Sequence, residues 1–118
     1  MSSLSRSLTG PMLTFELREQ VAGLRREEGY ARSGRSGRTL AKSGGLRIVL
    51  TAMAKGNVVG THQAHGPMTI HLLEGHLRYR ADRGEHELSG GELLFFGPGD
   101  AHDITALEES VVLLTLTG

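Results

Sequence analysis

From residue 46 to the end, the chain is a series of short β-prone runs cut by glycine. The runs are LRIVLTAMA, NVV, MTIHLL, HLRYRA, EHEL, ELLFF, HDITA and SVVLLTL, with glycines at positions 56, 75, 84, 90, 91, 97 and 99 between most of them. None is long enough for a stable helix of its own. Many short strands with turn signals at close spacing predict an all-β, antiparallel sandwich or barrel. HLRYRA shows the period of two directly: His76, Arg78 and Arg80 fall on one side, Leu77, Tyr79 and Ala81 on the other. At 118 residues the chain has room for one such domain and little else.

The segment before the strands has a different period. Leu17, Val21 and Leu24 in TFELREQVAGLRREE mark one face of a helix, for which Thr14 is a plausible N-cap and Gly29 a stop. With Gly23 inside it and few apolar residues, this helix needs something to lie on. The expected division is a flexible start over 1–12, a helix over 13–29 and a β-barrel domain over 30–118. Residues 30–47 hold five basic residues and no acid. They read as a solvated loop and an edge strand, RTLAK, protected by its charges, or as an arm that grips an anion.

Composition excludes several classes. Thirteen Lys and Arg balance thirteen Asp and Glu, so no net field points to nucleic acid or to an anionic membrane. Cysteine is absent, which removes disulfides, thiolate metal sites and cysteine nucleophiles. No Gly-x-Ser-x-Gly elbow is present. The opening MSSLSRSLTGPML lacks an apolar signal core, and no stretch of 18 apolar residues occurs. A soluble, cytoplasmic protein is expected, without membrane or nucleic-acid partners.

The chemistry lies in the histidines. Gly56 is followed by five residues and His62, and Gly75 closes the same segment. Gly91 is followed by ELLFF, Gly97-Pro98-Gly99, two residues and His102. This spacing resembles the two motifs of the cupins, and the resemblance covers residues 46–116. More narrowly, the chain looks like the short, uncharacterised bacterial cupins with a basic segment of the SGRSGRTLAK type ahead of the barrel. It implies a jelly-roll barrel, a tendency to pair into homodimers, and a divalent transition metal in the barrel held by His-x-His, a glutamate and a third histidine.

The ligand set is incomplete. Ala64 stands at the second histidine position, Met68 at the glutamate, Ala106 at the closing asparagine and Gly97 at a proline. His62 and His102 remain as metal ligands, with His65 as a third only if Gly66-Pro67 turns it inward. Ala64, Met68, Ile70, Leu72 and Ala106 are expected to line an apolar pocket. His71, of opposite parity to Met68, Ile70 and Leu72, should face outward. So should Leu73, Leu77 and Tyr79, as sheet surface for a homodimer to cover. His76 and His86 read as surface residues, Glu74 as a turn residue, and Asp100 and Asp103 as turn residues or as acceptors that orient His102.

Three functions stay open: a small-molecule binding protein with or without a metal at His62 and His102, a metal-dependent oxygenase or isomerase, and a non-catalytic dimeric scaffold.

Overall fold

The computed structural model describes residues 10 and 12–117 except 64, 83, 98 and 100, without the side chains of 61–63. The expected flexible start over 1–12 lies almost wholly outside these residues. Two helices, α1 (Leu17–Arg25) and α2 (Glu28–Ser33), precede nine strands. These are β1 (Arg35–Ser43), β2 (Leu46–Met53), β3 (Val58–Gln63), β4 (Met68–Glu74), β5 (His76–Ala81), β6 (Gly84–Ser89), β7 (Leu93–Phe96), β8 (Ala101–Ala106) and β9 (Ser110–Leu116). They form a five-stranded sheet, β1-β2-β9-β4-β7, facing a four-stranded sheet, β3-β8-β5-β6. Every pairing is antiparallel. The antiparallel β-barrel expected from the strand pattern, and the jelly roll implied by the cupin resemblance, are what the chain forms.

Two apolar cores follow from the pleat, because alternate residues of a strand face opposite ways. Between the sheets, Met68, Ile70 and Leu72 of β4 meet Leu77 and Tyr79 of β5, Ile104 and Ala106 of β8, and Val112 of β9. On the outer face of the larger sheet, Leu50, Ala52 and Val111 receive Leu24, Leu17 and Val21 of α1. β2 and β9 are therefore covered on both sides, and their near-continuous apolar sequences reflect this.

This geometry corrects one expectation. Leu77 and Tyr79 do not face outward but belong to the inner core. Their own alternation with His76, Arg78 and Arg80 requires it, since the apolar set of a half-buried strand takes the inside. Leu73 does lie on the outer face, packed against the helical layer.

The helical segment also differs. In place of one helix over 13–29, α1 ends at Arg25 and α2 begins at Glu28. Glu16, not Thr14, caps α1, its carboxylate accepting from the Arg18 amide at 2.9 Å. Gly29 lies inside α2, and the left-handed stop is Gly34 at φ 78. The break centres on Glu27, whose backbone is extended at ψ 145. Its carboxylate accepts the Ser36 hydroxyl at 2.5 Å and the Arg38 guanidinium at 2.8 Å. These two contacts, Ser36 first, hold its pKa below the usual glutamate range. Partners on β1 thus override the helical period, as tertiary contacts often do.

Candidate functional site

β8 alternates with His102, Ile104 and Ala106 buried and their neighbours more exposed. An imidazole is thereby placed on the inner face of the barrel, only 7% exposed. Its ring lies over Tyr79 of the adjacent β5, centroids 5.5 Å apart and planes 27° apart. The Phe96 ring of β7 meets it edge-on at 4.8 Å and 69°, and Tyr79 and Phe96 touch each other at 5.1 Å. Three rings from three strands tie the two sheets together at one end of the inner core, a stable arrangement for aromatic groups.

A cleft of about 280 Å³ opens beside His102, walled by Arg80, Ala81, Asp82, Ala101 and Asp103. Arg80 reaches Asp103 across its rim at 3.4 Å. Asp103 has the opposite parity to His102 on β8, so it serves Arg80 rather than orienting the imidazole. Asp100 lies outside the described residues.

Of the expected metal ligands, His102 is the one whose side chain is seen inside. The β3–β8 register pairs the backbones of His62 and His102 directly, after a register shift between Val59 and His62. The two residues are therefore neighbours within one sheet, not opposed across the barrel. The His62 side chain is not described. His65 is exposed ahead of β4. Among the described residues no group of three His, Asp or Glu is placed to hold a metal ion.

Of the expected pocket residues, Met68, Ile70, Leu72 and Ala106 are buried in the inner core. Ala64 lies outside the described residues. His71 falls on the outer face of β4, half-buried. His76 pairs with Glu87 through Nε2 at 2.7 Å, His86 is exposed, and Glu74 holds Arg25 at 2.7 Å.

A second opening escapes the sequence reading. β1 is an edge of the larger sheet and β3 an edge of the smaller one. Between them runs a slot of about 240 Å³, walled by Met53, Val59, Ile104, Val112 and Leu114, with Arg35, Ser36, Gly37 and Thr51 on the β1–β2 side. Gly37 keeps the slot open: a Cβ there would come within 3.2 Å of the Thr51 hydroxyl. The available signal was a glycine inside a strand, which often marks a place left clear.

A family profile described as AraC-like ligand binding domain matches residues 48–116, more than half of the chain. Among solved structures, a cupin superfamily protein from Desulfitobacterium hafniense is 20% identical, with 70% of this chain and 76% of that one covered at a TM-score of 0.68. A cupin-2 domain protein from Shewanella frigidimarina is 15% identical over 88% and 94%, at 0.70. Oxalate decarboxylase from Bacillus subtilis is 22% identical over 73% of this chain and 26% of its own, at 0.64. No curated protein sequence matches the chain. At these identities the structural likeness speaks for the fold.

Proposed function

Because this chain belongs to the AraC-like ligand-binding domain family, within the cupin superfamily, we propose that it binds a small organic molecule inside the barrel, between its two sheets. The observation that carries the reading is the slot between β1 and β3, an opening walled by the apolar inner-face side chains of Met53, Val59, Ile104, Val112 and Leu114. Concave, largely apolar spaces with few polar groups are the usual form of a small-molecule site. The buried imidazole of His102 lies two residues along β8 from Ile104, a wall of the slot, and on the same face. Methyl-detected NMR with a library of small organic molecules tests the proposal. Shifts gathered at Val59, Ile104, Val112 and Leu114 are expected, and a library that moves none of them would sink it.

A second reading places a divalent transition metal at His62 and His102, favoured by the direct backbone pairing of these two residues. Two imidazoles are a weak donor set, and a third protein ligand would have to come from His65 or be replaced by water. An oxygenase or isomerase would need that completed set, whereas binding alone would not. Elemental analysis of protein purified without a histidine tag separates these cases. Stoichiometric metal that survives His71→Ala and is lost in His102→Ala would favour the metal; its absence leaves the binding reading.

The domain is also proposed to form a homodimer. Leu93 and Phe95 on the edge strand β7 are 60% and 65% exposed. They pair with His71 and Thr69 on the outer face of β4, a stretch of sheet a second copy could cover isologously. Light scattering is expected to give twice the monomer mass at micromolar concentration, reduced to one in Phe95→Glu. A monomeric wild-type protein overturns the assembly without touching the ligand site.

A further inference from the structure

Taking the binding site to lie in the slot, as proposed above, we infer that its ligand is a small amphipathic monocarboxylate whose apolar body lies between the sheets and whose carboxylate meets Arg35. The argument begins with the basic segment over 30–47, whose arginines the fold does not use alike. Arg32 pairs with Glu28 at 3.7 Å. Arg38 is engaged twice, with Glu27 at 2.8 Å and the Gln20 amide oxygen at 2.7 Å. Arg35 lines the slot, and among the described residues it makes no ion pair. Its hydrogen bond is to the Val58 carbonyl, at 3.4 Å and so at the long limit of such contacts. The nearby Glu27 carboxylate is already taken up by Ser36 and Arg38.

The surroundings of Arg35 decide what it would hold. On the inner face, Arg35 pairs with Met53 and Gly37 with Thr51 across the β1–β2 ladder. A guanidinium thus stands at the mouth of an apolar space floored by Met53, Ile104, Val112 and Leu114, with the Thr51 hydroxyl as a further polar group on the wall. The space of about 240 Å³ lies just below the range of about 300–1,000 Å³ usual for drug-sized ligands, so the occupant is small. A planar guanidinium matches a carboxylate with two parallel hydrogen bonds. With the Ser36 hydroxyl already donated to Glu27, one cation and one further hydroxyl suit a monoanion. A phosphate dianion would call for more donors than the slot offers.

The probes are octanoate against octanol, and 3-phenylpropanoate against 3-phenylpropanol, titrated by NMR into the full chain at low ionic strength. The acids are expected to bind at the slot and more tightly than the alcohols. Arg35→Gln should weaken the acids roughly tenfold, the scale of one charge-assisted contact near solvent, and leave the alcohols unchanged. Lys42→Gln, an exposed charge on the same hairpin, should change neither, and Gly37→Val should block all four by filling the slot. If acids and alcohols bind alike and ignore Arg35→Gln, the carboxylate assignment falls while binding in the barrel stands. If Lys42→Gln acts as strongly as Arg35→Gln, attraction is a diffuse field and the assignment falls as well. Failure of all four probes to reach the slot overturns both readings.

Discussion

Gly75→Ala is expected to be among the most destabilising single substitutions in this chain. Gly75 closes the turn between β4 and β5 at φ 105, a backbone region that side-chain-bearing residues rarely enter. A Cβ there would meet the Glu109 carbonyl at 2.5 Å and the Ser110 Cα at 2.7 Å. Both are backbone atoms and cannot swing aside as a flexible side chain would. The approach is fixed from the other side as well. The Leu107 amide donates to the His76 carbonyl at 2.8 Å, and Ser110 Oγ accepts from the His76 amide at 3.2 Å. Strain of about 1–3 kcal/mol for the conformation and a similar overpacking cost place the total at about 2–6 kcal/mol. Against a typical stability of about 5–15 kcal/mol this is a large fraction. Thermal unfolding should show a fall in Tm of about 10 °C or more. Gly56→Ala is the control. Gly56 also has positive φ, at 87, but nothing lies within 4 Å of an added Cβ, so strain acts alone. Equal losses for the two variants would mean that the turn can open, and that the close approach is not what the glycine serves.

The consequence for function runs through β5. The turn at Gly75 sets which residues of β5 face inward, and Tyr79 is the ring on which His102 lies. A shifted turn would disturb the imidazole without touching it. This is why a glycine of the first histidine segment, remote from any ligand in the sequence, belongs to the account of the site.

The strands were legible because each carries its own alternation, and eight runs read from residue 46 onward correspond to β2 through β9. The pairing of His62 with His102 was implied only by the resemblance, and it took the β3–β8 register to show the two as neighbours within one sheet. The break at Glu27 was not legible. Its cause is a pair of partners nine and eleven residues away on another element, and local periodicity contains no trace of them. Leu77 and Tyr79 are legible as inner-face residues from their own alternation with His76, Arg78 and Arg80, which outweighs their fitness as an apolar dimer face. The slot between β1 and β3 was hidden for a topological reason. It arises where the edges of two different sheets face each other, and no local pattern specifies that distance.

Leu72→Ala is the second large effect expected, and it separates a packed interior from a pocket. Leu72 is 0% exposed, on the inner face of β4, among residues the sequence reading assigned to a pocket wall. On one side its amide donates to the Glu92 carbonyl at 3.0 Å and its carbonyl accepts from Gly91 at 2.7 Å; on the other it stands opposite Val112 of β9. The strand therefore cannot move to fill a space left by the missing methyl groups. A truncation in such a place costs about 2–5 kcal/mol, the lost transfer energy plus the cavity. Leu114, half-buried on the wall of the slot, should behave in the opposite way. Leu114→Ala widens a space that already exists, so its stability cost should stay below that of Leu72→Ala, while the affinity of the slot for an apolar probe falls. Denaturant unfolding of both variants, with octanoate titration of each, reads the two quantities side by side. A cost for Leu72→Ala under about 1.5 kcal/mol, joined to a loss of octanoate binding, would return Leu72 to the pocket wall and move the ligand deeper into the barrel than the slot.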